Sequence, residues 1–406
     1  MNTTPPTRVA MRGDLLDFTG TPEWAVTDSS AVRFRADHWL LIENGRVRSV
    51  QAGDQPPDAS WTRHDHRGKL LLPGFIDTHV HSPQIDIIAS YGTELLDWLN
   101  TYTFPAEMRF ADPAESQAGA TRFLDALLAS GTTSAVVFPT VHKVSVDALF
   151  AGASARGMRL ITGKVLMDRN APAGLCDDVT NAEADCVDLI DRWHGKERLA
   201  YAVTVRFAPT STPAQLTMAG RLCAAYPGTY MQTHVAENRD EVRWVRELFP
   251  EARSYLDVYT RAGLMHSRSV LAHAVWLDDN DRAAMRDTGA QIAHSPSSNL
   301  FLGSGLFDWR AALQAGVAVS MASDVGGGTS LSMQRNLADE IGSFEIGRIA
   351  DVCVWDWACG PVAQRRDAMA RGLHERVFAW LTLSDERNLV CAYVAGVNRY
   401  SGRAGS

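Results

Sequence analysis

The chain has 406 residues, with 47 acidic against 39 basic side chains and a formal charge of -8. This acidic balance, without a cluster of Lys and Arg, argues against a nucleic-acid partner. No window approaches about 18 uninterrupted apolar residues, and the N-terminal residues lack a basic segment followed by an apolar one, so we expect a cytoplasmic protein without a membrane partner.

The first 70 residues show short strand patterns with turns. The segment LLIENGRVRSVQAG is an example, and its Asn-Gly pair is typical of a tight hairpin turn. The stretch is too small to bury a core by itself. We therefore predict that residues 1–70 form the N-terminal half of a small β-sandwich domain.

Eight short β-branched or apolar runs follow between residues 74 and 323. They begin at Phe75, Thr132, Arg159, Leu199, Thr229, Ser269, Ala290 and Val317. Most are separated by segments with helical periodicity, such as ATRFLDALLASG and DDNDRAAMRDTG. Strands that alternate with helices in this way predict an α/β fold, a (β/α)8 TIM-type barrel over residues 71–341. In that fold active sites lie at the C-terminal ends of the strands, so polar residues that end a run are candidates.

The end of the predicted barrel is too short. Only SLSMQRNLADE separates the eighth strand and its Gly-rich turn from a β-rich tail that starts near Ile341. A closing helix, a second helix and their loops need about 40 residues at typical lengths. We therefore expect the protein to contain further residues near 333–338, between Met333 and Ala338. The tail, residues 342–406, again shows strand patterns, and we predict that it forms the C-terminal half of the β-sandwich.

Two histidines in LPGFIDTHVHSPQ stand one residue apart at the end of the first barrel strand. Because strand side chains alternate, His79 and His81 face the same side. Two imidazoles on one face form half of a tetrahedral zinc site. On spacing alone, a hydrogen-bonded pair of core histidines explains them equally well. The pair His64 and His66 repeats the spacing outside the barrel, where we expect surface residues.

The ends of the later strands favour a metal. They are His234 for strand five, His273 for strand six, His294 for strand seven and Asp324 for strand eight. A lone histidine at such a place is usually structural, but four polar strand ends beside the HxH pair are better explained by one metal centre. The six cysteines form no CxxC pair, which leaves nitrogen and oxygen ligands. The predicted ligands of one Zn²⁺ per chain, with Fe²⁺ as the alternative, are His79, His81, His234 and Asp324.

Several segments together resemble one family. They are PGFIDTHVHSPQ, TFPAEMRFADP, KVLMDRNAP, RFAPTS, THVAENRDEVRWVRELFP, HSPSSNLFLGSGLF and SDVGGGTSLSM. These segments are similar to the guanine deaminases of the amidohydrolase superfamily. Two departures are Val205, where the family commonly has proline, and the missing helices after Met333. The resemblance implies a homodimeric enzyme that deaminates guanine to xanthine in purine salvage or catabolism.

The resemblance also implies catalytic roles. A bound zinc lowers the pKa of its water toward about 7, which provides a hydroxide for attack on C2 of guanine. Asp324 would accept the proton of the water, and Glu237 would carry a proton to N3 and then to the leaving amine. His273 would hydrogen-bond the oxyanion. The alternative for Glu237 is an acidic residue that only stabilises the start of a helix.

The purine would be bound by Gln84, Arg206 and Phe207, together with His234 and Glu237. Arg206 offers a planar fork for O6 and N7, Gln84 offers an amide, and Phe207 can pack on the ring face. A salt bridge at the barrel mouth is the alternative for Arg206. His294 could orient Asp324 or brace its loop.

Two other functions compete with guanine deamination. Another deaminase or chlorohydrolase of the superfamily, acting on cytosine, 8-oxoguanine, an adenosine derivative or a triazine, would use the same metal chemistry. A catalytically inactive scaffold relative is the alternative of a different class. Such relatives usually lose metal ligands, whereas all four candidate ligands and Glu237 are present here.

Overall fold

The computed structural model describes residues 7–20, 30–90, 95–333 and 343–402. The residues predicted to be missing after Met333, and the short closing helix, fall in a part of the chain that lies outside the described residues. Both therefore remain predictions, as do the domain boundaries at 70 and 341.

The described residues form sixteen strands. In chain order they are β1 (Arg8–Phe18), β2 (Val32–Glu43), β3 (Arg46–Ala52), β4 (Thr62–Pro73), β5 (Phe75–His81), β6 (Thr132–Phe138), β7 (Arg159–Thr162), β8 (Val165–Leu166), β9 (Leu199–Val205), β10 (Tyr230–Val235), β11 (Ser269–His273), β12 (Gln291–His294), β13 (Ala318–Met321), β14 (Val352–Trp355), β15 (Leu389–Val394) and β16 (Val397–Ser401).

The described residues also form thirteen α-helices. They are α1 (Leu95–Trp98), α2 (Phe104–Met108), α3 (Pro113–Ala129), α4 (Lys143–Arg156), α5 (Val179–Trp193), α6 (Pro213–Ala225), α7 (Arg239–Leu248), α8 (Tyr255–Arg261), α9 (Asp279–Thr288), α10 (Pro296–Phe301), α11 (Trp309–Gln314), α12 (Pro361–Ala368) and α13 (Leu373–Leu383). None of these described helices is long and apolar enough to cross a membrane.

The chain divides into two compact units. The first contains one seven-stranded sheet with the order β16-β15-β14-β4-β1-β2-β3. Its centre joins the two chain ends, because β14 pairs antiparallel with β4 in the register Val352 to Pro73. Met11, Leu71 and Val354 are fully buried in its core. The predicted pairing of the two chain ends is confirmed.

The C-terminal tail also contains two helices that its strand patterns did not predict. Helix α12 begins at Pro361, directly after Gly360, and buries none of its residues, so it has no apolar stripe that periodicity could reveal. Helix α13 buries Ala379 and Trp380. The tail is therefore not built of strands and turns alone.

His64 and His66 lie on β4 and are half-buried instead of lying at the surface as predicted. Their rings are 5.7 and 6.4 Å from the ring of Tyr393, between centroids. Aromatic packing explains this HxH pair without a metal.

The second unit contains the barrel. Its strands follow the order β13-β12-β11-β10-β9-β7-β6-β5, and the short β8 pairs with β9. All eight predicted runs are strands, and the predicted (β/α)8 barrel is confirmed. The segment after β13 returns to β5, because the amide of Asp324 donates to the carbonyl of His79 and the amide of His81 donates to the carbonyl of Val325, both at 2.9 Å.

Candidate functional site

The four predicted metal ligands meet at the C-terminal ends of the barrel strands. Their ligand atoms all lie within 4.8 Å of one another. His81 Nε2 is 3.3 Å from His79 Nε2 and 3.1 Å from His234 Nε2. Asp324 Oδ1 is 3.1 Å from His79 Nε2 and 3.3 Å from His81 Nε2. The cluster can therefore bind one metal ion.

The protonation of the cluster suits a metal. Burial lowers the pKa of His81 to about 3, and desolvation holds the pKa of His234 well below its ordinary value. His234 Nδ1 lies 2.6 Å from the carbonyl oxygen of Arg206, and donation to that oxygen leaves Nε2 as the ligand atom. Imidazole nitrogens and a carboxylate oxygen are ligands that divalent zinc prefers.

One aromatic side chain packs against three of the candidate ligands. The ring of Phe138, at the end of β6, lies 5.0, 4.9 and 4.7 Å from the rings of His79, His81 and His234, between centroids. Lys164, between β7 and β8, is ion-paired with Asp177 and does not belong to the cluster. Neither Phe138 nor Lys164 therefore adds a ligand atom to the four predicted residues.

A buried carboxylate that the sequence analysis did not identify, Asp77, contacts residues in and next to the cluster. Asp77 accepts hydrogen bonds from the amide of His79 at 3.2 Å, from the amide of Ser323 at 3.0 Å and from the hydroxyl of Ser323. Burial raises its pKa to about 6. Asp77 thereby ties the strand that carries the HxH pair to the residue before Asp324.

Glu237 and His273 lie beside the cluster. Glu237 Oε1 accepts from the hydroxyl of Ser304 at 2.8 Å, and Glu237 Oε2 is 3.4 Å from His273 Nε2. His273 Nε2 is 3.6 Å from Asp324 Oδ2, and its Nδ1 is 2.9 Å from Asn299 Oδ1. Burial, together with the charge of Asp324, raises the pKa of Glu237 to about 8.

The first turn of α7 is capped by residues other than Glu237. Asn238 is the N-cap, and Glu241 completes a capping box with it. Glu237 precedes both and directs its carboxylate to Ser304 and His273. Its buried, protonated side chain suits a proton donor near neutral pH.

A pocket opens above the cluster. Its empty volume is about 410 Å³, and it is lined by His81, Gln84, Leu95, Trp98, Leu99, Arg206, Phe207, His234, Glu237, His273, Leu302, Asp324 and Gly327. The structure therefore brings Gln84, Arg206 and Phe207 together with the predicted catalytic residues. Trp98 also lines this space.

Arg206 makes the salt bridge that was the alternative to base binding, and it lines the pocket as well. Its Nη1 is 2.7 and 2.8 Å from the two carboxylate oxygens of Glu107. The guanidinium carbon lies 5.4 Å from the ring centroid of Phe104. Sequence reasoning missed Glu107, although it is the one carboxylate in the otherwise uncharged segment TYTFPAEM.

His294 lies apart from the metal ligands. Its ring is stacked on Phe307 at 4.6 Å and meets Trp309 edge-on at 5.6 Å, between centroids. Burial lowers its pKa to about 4. Within the described residues, the His294 ring packs on Phe307 and Trp309 and makes no hydrogen bond to Asp324, so the packing favours bracing of the loop over orientation of Asp324.

One hydroxyl connects two strand ends of the site. Tyr259 Oη accepts from the amide of Ala208 at 2.9 Å and from the hydroxyl of Thr233 at 3.0 Å. It donates to the carbonyl of His234 at 2.8 Å. The hydroxyl thus holds the backbone beside Phe207 against the backbone of a candidate ligand.

We expect Tyr259→Phe to lower the free energy of unfolding by about 1–3 kcal/mol, because buried polar groups lose their partner. Urea unfolding followed by tryptophan fluorescence measures the change. Tyr230→Phe is the matched control, since phenylalanine keeps the stacking of Arg268 on that ring. Equal stability of the Tyr259 variant and the wild type would show that the hydroxyl contributes nothing.

Comparison with known proteins gives one family. The amidohydrolase family model matches residues 70–336. The guanine deaminase of Escherichia coli K12 is 41% identical over 424 aligned positions, which cover 95% of this chain and 96% of that enzyme. This alignment is longer than the 406 residues of the chain, so that enzyme contains residues without a counterpart here.

Solved structures agree with the sequence comparison. The structure of E. coli guanine deaminase superposes with a TM-score of 0.93 at 39% identity, covering 97% of this chain and 99% of that one. The guanine deaminase of C. acetobutylicum with guanine bound in its active site superposes with a TM-score of 0.86 at 25% identity, covering 97% and 100%.

Proposed function

The chain belongs to the amidohydrolase family and, within it, to the guanine deaminases, and on this premise we propose that it hydrolyses guanine to xanthine and ammonia. The observation that carries the proposal is one pocket lined by members of the three-histidine, one-aspartate cluster, by Glu237, whose pKa is raised by burial, and by Arg206 and Gln84. The cluster can serve hydrolysis, and the pocket can bind a flat polar base.

The metal of this proposal is zinc, one ion per chain, with Fe²⁺ as the alternative. Its ligands would be His79, His81, His234 and Asp324, whose imidazole nitrogens and carboxylate oxygen suit a tetrahedral ion. When bound, such an ion supplies a water that is acidic enough to be a nucleophile at neutral pH.

The proposed proton transfers use residues of the chain. Asp324 accepts a proton from the attacking water, whose oxygen adds to C2 of guanine. Glu237, protonated near neutral pH, delivers its proton to N3 as the water oxygen adds to C2. The ionised Glu237 then takes the proton of the added hydroxyl and passes it to the exocyclic nitrogen, so that the bond between C2 and nitrogen breaks and ammonia leaves. The proton held by Asp324 returns Glu237 to its protonated form. His273, held by Asn299, hydrogen-bonds the oxygen that is added to C2.

Three other residues that line the pocket are proposed to bind the base. Arg206 and Gln84 donate to the acceptors O6 and N7 of the purine, and Phe207 packs on the ring face. Glu237 and His234 lie beside the edge of the purine at which the reaction occurs.

We expect Arg206→Ala to raise the KM for guanine by about tenfold or more, because a charged donor to the base is lost. Metal content should remain unchanged, since the variant keeps the carbonyl that orients His234. Steady-state kinetics and elemental analysis measure the two effects. An unchanged KM would mean that Arg206 serves only its ion pair with Glu107.

The proposed activity is tested by ultraviolet assays with guanine, adenine and cytosine in parallel, together with ammonia detection before and after chelation. Loss of guanine absorbance with release of ammonia supports the proposal. Turnover of another substrate alone would favour a different deaminase or chlorohydrolase. Protein that is purified without metal and shows no turnover would favour the scaffold alternative.

The remaining parts of the proposal are a homodimer, a cytoplasmic location and a role in purine salvage or catabolism. They follow from the resemblance to guanine deaminases. Analytical ultracentrifugation and cell fractionation test the first two, and growth on guanine as a nitrogen source tests the third.

A further inference from the structure

A buried carboxylate contacts both proposed base-binding residues, and the proposed reaction does not use it. Glu107 lies on α2 and is fully buried. Its two oxygens accept from Arg206 Nη1 at 2.7 and 2.8 Å, and its Oε1 also accepts from Gln84 Nε2 at 3.3 Å. Burial of a charge costs free energy unless the charge is paired, and the partner of Glu107 is Arg206.

The amide of Gln84 is held in one orientation by two opposite partners. Its nitrogen points to the carboxylate of Glu107, and its oxygen accepts from the amide of Gly326 at 3.1 Å. A carboxylate can only accept, and a backbone amide can only donate. A flipped side chain would place oxygen against oxygen and N–H against N–H. The second N–H of Gln84 therefore remains as a donor for a ligand.

The guanidinium of Arg206 is held in the same way. Its bonds to Glu107 both start from Nη1, which leaves Nη2 and Nε as donors for a ligand in the pocket that Arg206 lines. Phe104 packs on the guanidinium and restricts its plane. The negative charge of Glu107 also balances the buried positive charge, so the pocket can accept an uncharged base.

We propose that Glu107 fixes this side of the pocket as a set of hydrogen-bond donors and thereby selects 6-oxo purines over 6-amino purines. The inference rests on the proposed function and concerns its specificity. A 6-oxo purine presents two acceptors, O6 and N7, whereas a 6-amino purine presents a donor beside N7. A 6-amino group would meet the donors of Arg206 and Gln84 and leave them unpaired.

The test compares guanine with 2,6-diaminopurine, which keeps the 2-amino leaving group and differs in the group at C6. We expect the wild type to prefer guanine in kcat/KM by at least about 100-fold, because the disfavoured ligand leaves buried donors unpaired. In Glu107→Gln the amide that replaces the carboxylate can both donate and accept. The preference should then fall by at least about tenfold, mainly through KM, with bound metal unchanged.

Glu115→Gln is the matched control, because Glu115 pairs with Arg109 and Arg122 at the surface. Its preference should equal that of the wild type. If Glu107→Gln does not fold, Glu107→Asp takes its place. That variant retains an accepting carboxylate and must keep more of the preference than Arg206→Ala; an equal loss would overturn the inference.

Calorimetric binding of hypoxanthine and adenine separates this inference from the proposed function. These ligands also differ in the group at C6 and need no turnover. Tighter binding of hypoxanthine by the wild type, with a reduced difference in Glu107→Gln, supports the inference even if guanine is not deaminated. An undiminished difference in the variant overturns it even if the wild type is an active guanine deaminase.

Discussion

Replacing Glu237 with glutamine is expected to lower kcat for guanine by about 10²- to 10⁴-fold, the range that proton transfer typically contributes. Glutamine preserves the size of the side chain and can still accept from Ser304, but it cannot release and recapture a proton. Steady-state kinetics measure the loss. Elemental analysis should find the same metal content as in the wild type, because Glu237 is not a member of the ligand cluster.

Glu247→Gln is the control for this variant. It changes an exposed glutamate on α7, the helix that follows Glu237. Its kinetics should match those of the wild type. Near-normal turnover by the Glu237 variant would remove this residue from the mechanism and return it to a structural role.

Removal of the metal is expected to abolish guanine turnover, since no side chain in the described lining of the pocket can replace the activated water. Added Zn²⁺ should restore activity. It should also raise the free energy of unfolding by about 4 kcal/mol when the free zinc concentration is 1,000 times the dissociation constant, and the melting temperature should rise accordingly. Elemental analysis, ammonia release and thermal unfolding measure the three effects on one protein preparation.

Two histidine variants locate the site of this metal. His81→Gln should lose the metal, because it removes the ligand atom that faces both other histidines. His294→Gln should keep the metal, since His294 also ends a barrel strand but packs on Phe307 and Trp309. Equal metal content in both variants would contradict the assigned cluster.

Local patterns allowed the barrel and its strand ends to be predicted. The runs FIDTHV and TTSAVVF are short and apolar, and alternation along a strand places His79 and His81 on one face. The run VAVSMAS placed Asp324 at the end of strand eight; β13 ends at Met321, and Asp324 follows it at the edge that parallel strands share. Strand assignment and period therefore gave the candidate positions, but they do not by themselves separate His234 from His273 and His294.

The supporting residues could not be predicted in this way. Asp77 is recognisable only once the amide and hydroxyl of Ser323 are beside it, and Glu107 only once Arg206 is. Both contacts join residues about a hundred or more positions apart, across segments whose packing no local pattern specifies. Helix α12 was missed for a different reason, since it buries no side chain and has no apolar period.

Arg206 serves two purposes with two different parts of the residue. Its side chain lines the base pocket, while its carbonyl oxygen, 2.6 Å from His234 Nδ1, sets the orientation of a candidate ligand. A backbone carbonyl is present whichever amino acid occupies the position. Selection can therefore exchange the side chain and change the substrate without disturbing the ligand. A substitution at position 206 can therefore alter the contact with the base while the orientation of His234 is kept. Such an arrangement favours the evolution of new substrate specificities around an unchanged metal site.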